Sequence, residues 1–350
     1  MMVKVHGIQH IGVAVSQMER SLPFYRKVLG MDIPFFDSIQ AAPLMQVFTR
    51  QEVVTKRASM VMNLKGGSAM EIIQATSFTP QAMPADFLLG DLGIFALHMR
   101  ASSLPEAKNH LGQLLIDFSD EVPDPLGKGR VALKDPDGQF IFIVEDNQIY
   151  EPTTHPIGGV GGISIGVSDI SAAKAFYALF GFDQVLYEAT DVFADFASFP
   201  GGEQPLTRVI LGTKTAAEGP FGAVIGCSKL ELISTPNRKG QKIFRNRIWG
   251  DVGFVHIGLD VLDMKGLAER LAQYDIQFKC DSASALSMGK TQVHCAYVVD
   301  PDGILIELIE VYRIPIIEKL GLFINVHGRR ASKHLPRWIL KLLRFSRIKD

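Results

Sequence analysis

Gly90-Asp91-Leu92-Gly93-Ile94-Phe95 returns as Gly250-Asp251-Val252-Gly253-Phe254-Val255, and Asp135-Pro136-Asp137-Gly138 returns as Asp300-Pro301-Asp302-Gly303. A helix pattern repeats as well: Ser21-Leu22-Pro23-Phe24-Tyr25 running to Leu29-Gly30, and Ala173-Lys174-Ala175-Phe176-Tyr177 running to Phe180-Gly181. Self-similarity of this kind marks a chain assembled from supersecondary units. The repeats place four units at about 1–80, 81–150, 158–238 and 248–312. They form two similar halves, 1–150 and 158–312, followed by a tail, 313–350.

Each unit reads as strand, helix and three strands. In the first, apolar alternation from Ile8 to Val15 gives a strand, and Ser16-Gln17-Met18-Glu19 has the form of a capping box. The helix should end near Gly30, with Pro23 kinking or shortening its start. The stretches 32–38, 56–64 and 69–75 follow as strands, the last two joined by Lys65-Gly66-Gly67-Ser68. The second unit repeats this grammar with Ser103-Leu104-Pro105-Glu106 at its helix start.

Two His–Glu pairs occupy matching places at the outer ends of the repeats. His10 lies in Ile-Gln-His-Ile-Gly-Val (8–13) and Glu71 in Ala-Met-Glu-Ile-Ile (69–73). His256 lies in Phe-Val-His-Ile-Gly-Leu (254–259), and Glu307 closes Asp-Pro-Asp-Gly-Ile-Leu-Ile-Glu (300–307). A carboxylate inside an apolar strand is costly unless it is hydrogen-bonded, ion-paired or bound to a cation. Two imidazoles and two carboxylates offer four ligands to one divalent metal ion.

Composition narrows the class. With 350 residues and 47% hydrophobic content the chain has ample material for packed cores. The net charge of −1 conceals a tail with ten Lys/Arg against two Asp/Glu, +8, on a body of −9. An acidic body argues against a nucleic-acid partner. Cys227, Cys280 and Cys295 lack CxxC spacing and read as reduced thiols of a cytoplasmic protein. The N-terminal residues lack the apolar core of a signal peptide, and no stretch reaches the ~18 apolar residues of a spanning helix.

Four βαβββ units with His on a first strand and Glu on a last one resemble the vicinal oxygen chelate superfamily, over about 310 residues. That superfamily includes glyoxalase I, extradiol dioxygenases, methylmalonyl-CoA epimerase and fosfomycin-resistance proteins. The resemblance implies an α+β fold, its modules paired into curved, cup-like sheets with a metal at the base. In fused glyoxalases the first unit pairs with the fourth and the second with the third. Aligned on their repeats, Gly162 stands opposite His10, Ala96 opposite His256, Phe142 opposite Glu307, and Glu231 keeps the Glu71 position. One complete site, His10, Glu71, His256 and Glu307, is therefore expected beside one degenerate site. There Glu231 should be a relic, hydrogen-bonded or open to solvent, with His98 as a candidate rescuing ligand on the same strand face as Ala96.

The chemistry this resemblance implies is a glyoxalase-like isomerase or lyase acting through a metal-stabilised enediolate, with Glu71 or Glu307 as the base. The metal would be Ni, Co, Zn or Mn, and His at position 10 resembles the nickel/cobalt-preferring glyoxalases. The glutathione-contacting stretch of glyoxalases is missing, since Ile-Ile-Gln-Ala-Thr follows Glu71. Ala14, Phe254, Leu305 and Ile309 should line an apolar cup, with Tyr297 and Phe254 touching a small, largely apolar substrate that offers two vicinal oxygens. The alternatives are an Fe(II) dioxygenase, ring-cleaving or 2-oxoacid-type, using His10, His256 and Glu307, and a ligand-sequestering binding protein. Tyr297 with Asp-Pro-x-Gly-x-x-x-Glu echoes part of the dioxygenase signature, and cup-wall packing explains it equally.

The tail should contain a helix through Trp338–Arg347, with Trp338, Ile339, Leu342, Leu343 and Phe345 on one side and Arg337, Lys341, Arg344 and Arg347 on the other. It reads as a membrane-surface segment or as a helix docking on the body or a partner subunit, giving location or assembly rather than chemistry.

Overall fold

The computed structural model describes residues 5–214, 217–284, 286–288, 290–317, 321–326 and 333–348. The first and fourth units share one mixed sheet. Its spine runs Thr291–Val299, Leu305–Ile317, Gly253–Val261, Val5–Ala14, Ala69–Ala75, Thr55–Met62 and Ile33–Ala41. The second and third units build an eight-stranded sheet with Ile157–Gly166 and Gly93–Ala101 at its centre. The 69–75 strand matches its sequence reading, while its predecessors shift to Ile33–Ala41 and Thr55–Met62.

Strand alternation sorts the side chains. In the first sheet Ile11, Val13, Met70, Ile72, Ile257, Leu259, Ile306 and Leu308 point to the helix side, where they join Leu97, Met99, Ile163 and Leu230 of the second sheet in one core. The intervening residues line each sheet's concave face. His10, Glu71, His256 and Glu307 all fall in that second set.

The two motifs that reveal the repeat are physical partners. Tyr25, on helix Met18–Lys27, donates to Asp135 Oδ2 at 2.6 Å, and Tyr177, on helix Ile170–Ala178, donates to Asp300 Oδ2 at 3.1 Å. Each Asp uses its other oxygen to hold its own turn, accepting the N–H groups of Asp137 and Gln139 in one case and of Asp302 and Ile304 in the other. The Phe-Tyr helix of one unit is thereby fastened to the Asp-Pro-Asp-Gly turn of the next. Burial pushes both carboxyls up to about 6 despite these bonds.

The same clasp corrects the expected capping box. Helix Met18–Lys27 starts with no side-chain cap from Gln17 and continues through Pro23. Ser16 instead gives its N–H and hydroxyl to Asp137, at 3.1 and 2.6 Å, and Gln74 Oε1 accepts the Met18 N–H at 2.8 Å. Glu19 is drawn to Arg57 at 2.8 Å. Tertiary partners outcompete the local pattern. Ser103 does cap its helix, accepting the Glu106 N–H at 3.3 Å.

Removing a tyrosine hydroxyl takes a donor from a buried carboxyl. Tyr25→Phe and Tyr177→Phe should each cost about 1–3 kcal/mol in urea unfolding, with Asp135 cushioned by Gln139 Nε2, which still reaches its Oδ2 at 3.1 Å. Equal stability of both variants with the parent would show that the clasp contributes nothing.

Candidate metal centre

The centre lies on the antiparallel pair formed by Val5–Ala14 and Gly253–Val261. Their register sets His10 across from Gly258 and Gly12 across from His256. Each imidazole therefore lies over the glycine of the opposite strand. A Cβ on Gly12 would come within 2.3 Å of the His256 ring, and one on Gly258 within 2.4 Å of the His10 ring. The spacing His-Ile-Gly, present twice, is what lets two imidazoles meet edge to face at a centroid separation of 5.2 Å.

The carboxylates arrive on the flanking parallel strands, Glu71 in register with Gly12 and Glu307 with Gly258. His10 Nε2 and His256 Nε2 are 3.0 Å apart. Glu307 Oε2 lies 3.1 and 3.3 Å from these nitrogens, and Glu71 Oε2 lies 3.9 Å from His10 and 3.4 Å from His256. All four side chains are buried. They form the one group among the described residues that could hold a metal ion.

The donor set fits such an ion. Ligands roughly 2.0–2.2 Å from a shared metal lie about 3–3.5 Å apart when adjacent, which is the range seen here. Glu307 Oε2 faces the two imidazole nitrogens and, among the described residues, no basic side chain. Burial alone would raise both carboxyls; Lys56 and the imidazoles outweigh it for Glu71, and the imidazoles do so for Glu307, holding both below the usual range.

The surroundings hold each donor differently. Gln9 Oε1 is 3.3 Å from His10 Nδ1, and Gln9 Nε2 donates to Asp260 at 3.0 Å. Glu71 Oε1 accepts from the buried Lys56 ammonium at 2.8 Å. Sequence reading missed Lys56, although it falls in the same alternation phase as the cup residues Ala58 and Met60. Tyr297 is buried, pairs across strands with Glu307, and sets its ring edge-on to His256 at 6.0 Å.

Phe254 departs from expectation. The register steps from Gly12↔His256 to Val13↔Phe254, a bulge at Val255 that reverses the alternation. Val255 takes the cup position beside Ala14, Trp249 and Tyr297, whereas Phe254 joins the helix-side core. Leu305 and Ile309 remain on the cup side.

His10 and Glu307 line an open apolar cavity of about 810 Å³, counting the solvent space at its mouth. Its walls come from Phe35, Phe36, Met60 and Met62 of the first unit and from Val293, Ile309 and Val311 of the fourth. Val224 and Ile225 of the third unit and Leu340 of the tail complete them. The tail helix is short, Arg337–Leu342, and tightens into a 3₁₀ turn, Leu343–Ser346, so the expected stripe does not hold. Ile339, Leu340 and Leu343 are buried, while Trp338 is 64% and Phe345 66% exposed. Lys341–Glu151 and Arg347–Asp32 ion pairs, each 3.0 Å, dock the tail on its own body, and Leu340 makes it part of the cavity wall.

The second cup repeats the framework with other residues. His98 pairs with Gly162 and Ala96 with Ser164, while Phe142 and Glu231 stand where the strand registers of Glu307 and Glu71 would put them. Glu231 is buried and ion-paired. Arg208 Nε donates to its Oε1 at 2.8 Å, Arg130 Nη1 lies at 3.6 Å, and the Ser164 hydroxyl donates to Oε2. Asp195 takes both guanidinium groups, and Arg130 stacks over Phe142 at 3.8 Å. His98 Nε2 meets Ser164 Oγ at 2.6 Å. Two guanidinium charges thus compensate the remaining carboxylate, and neither Arg130, Arg208 nor Asp195 was singled out by the repeats.

Residues 7–141 and 159–308 match the model of the Glyoxalase/Bleomycin resistance protein/Dioxygenase superfamily. Comparison with curated proteins gives no match. Among solved structures, glyoxalase I from Zea mays is 15% identical with a TM-score of 0.56, covering 88% of this chain and 92% of that one. A putative dioxygenase from Bacillus subtilis is likewise 15% identical, with a TM-score of 0.55 and coverage of 88% and 86%. These likenesses are of fold. Matched across both halves, the chain belongs to the Glyoxalase/Bleomycin resistance protein/Dioxygenase superfamily.

Proposed function

We propose that the protein is a metal-dependent enzyme that moves a proton within a largely apolar substrate carrying two vicinal oxygens, as a glyoxalase-like isomerase or lyase. The observation that carries this reading is the convergence of His10, Glu71, His256 and Glu307, with His10 and Glu307 lining an apolar cavity. These four residues would hold one divalent ion, Ni, Co, Zn or Mn, whose chemistry is to stabilise negative charge developing on the substrate oxygens. Glu307 would carry the proton, because it lines the cavity and no lysine among the described residues holds it, whereas Lys56 ties Glu71 back. Tyr297 would support Glu307 and His256 from behind. The apolar walls would take the substrate body and exclude water.

Three free cysteines support a reducing, cytoplasmic setting. Among the described residues no helix is long and apolar enough to cross a membrane. The exposed Trp338 and Phe345, flanked by Arg337 and Arg344, suit peripheral contact with an anionic bilayer.

Anaerobic purification followed by metal analysis should give one Ni, Co, Zn or Mn per chain and no oxygen consumption; iron with oxygen uptake would favour a dioxygenase instead. His256→Ala or Glu307→Gln should weaken metal binding by more than the ~10–100-fold typical of losing an outer-shell partner. Unchanged stoichiometry and affinity in both would remove these residues from the centre. The tail reading predicts co-sedimentation with anionic vesicles at low salt, with roughly 1 kcal/mol from each basic residue near the surface. Trp338→Ala/Phe345→Ala should abolish it, and a parent protein indifferent to such vesicles would end the bilayer reading.

A further inference from the structure

The immediate surroundings of the four donors contain one basic side chain. Lys56 is 7% exposed, its Nζ lies 2.8 Å from Glu71 Oε1, and it sits 5.2 Å from the centre of the Trp249 ring. Gln9, Cys295 and Tyr297, which also approach the donors, are uncharged side chains. Beyond His10 and Glu307 the cavity wall carries no charged residue among the described residues. Asp260 reaches Gln9 rather than the donors, and burial pushes its carboxyl up to about 7.

This inventory fixes the charge at the cavity floor. Imidazoles bind a metal in the neutral form. The Glu71 and Glu307 carboxylates balance a divalent ion, and the Lys56 ammonium then leaves one positive charge over. Apolar walls screen it poorly, so a head group that brings one negative charge gains more here than in water.

Resting on the metal reading above, we propose that Lys56 tunes this site for a substrate whose two vicinal oxygens form a monoanionic chelate, such as a 2-oxocarboxylate, on an apolar body. A neutral vicinal dicarbonyl of the same shape is the disfavoured counterpart. Lys56 acts through charge and through its hold on Glu71, as a positioning and specificity residue rather than a catalytic one.

The test uses the full chain loaded with Co(II), read by its visible absorption at pH 6, and two near-isosteric probes. Benzoylformate presents a carboxylate oxygen where 1-phenyl-1,2-propanedione presents a methyl group. Benzoylformate should be favoured over the diketone by a ratio about tenfold larger than that of free Co(II) in the same buffer. Lys56→Met should bring the ratio down to the free-ion value while one Co(II) still binds, and Lys56→Arg should restore it. A parent ratio no larger than that of free Co(II) overturns the proposal even if Lys56→Met fails to fold. An unchanged ratio in Lys56→Met overturns it too, leaving Lys56 a structural partner of Glu71. Failure of the parent to bind Co(II) at all would instead bring down the metal reading, and this inference with it.

Discussion

Two imidazoles can share one point in space only because each has a glycine beneath it. That reciprocal fit, His10 over Gly258 and His256 over Gly12, governs the whole first sheet. It requires the two outer units to meet as an antiparallel pair in one register, since a slip by one residue would turn both rings to the helix side. The parallel neighbours then have to deliver a carboxylate beside each ring. Everything else in the sheet, including the cavity that opens beside Glu307, follows from that central crossing.

The second sheet shows what the framework becomes when the ring-and-glycine exchange is lost. Gly162 and Ala96 stand in for the two histidines, and His98 takes the place over Gly162. One carboxylate survives, and a buried carboxylate must still be compensated. Arg208 supplies charge from the adjoining strand and Arg130 from the far side of the cup, with Asp195 and the Phe142 ring balancing the surplus guanidinium. Both cups thus bury acid against cation. In the second cup two guanidinium groups do this; in the first Lys56 answers Glu71, and Glu307 has no basic residue of its own among the described residues.

Much of this was legible in the sequence, for a definite reason. The convergence of the two His–Glu pairs could be read because two repeats place the same residue types at the same positions, and strand periodicity then puts them on one face. Pairing of the outer units could be read from which copies keep their ligands. The role of Phe254 could not, because a one-residue bulge at Val255 leaves no trace in the alternation. Lys56, Arg130 and Arg208 were hidden for another reason: a long basic side chain in a strand ordinarily marks a solvated face, and only the carboxylates that folding brings alongside, Glu71 for Lys56 and Glu231 with Asp195 for the two arginines, make burial tolerable. The Ser16 capping pattern failed in the same way, through Asp137 of the next unit. In the tail, a six-residue helix was too short for a helical projection to assign its faces.

The clasp between neighbouring units and the sheet shared by the outermost ones impose an order on assembly. During synthesis the second and third units, adjacent in the chain, can pair their strands as soon as the third has emerged. The first unit is available earlier than either, yet its opening strand must wait for the strand Gly253–Val261 to arrive. Until then it is held by its contacts with the second and third units, among them Tyr25 on Asp135 and Ser68 on Val160, with Val5–Ala14 presenting an unpaired edge. Such a long-range closure is slow and leaves an exposed strand open to the wrong partner. Gly12, which makes room for the His256 ring, lies with His10 on that waiting edge, so the element most exposed to misassembly is one on which the candidate metal centre depends.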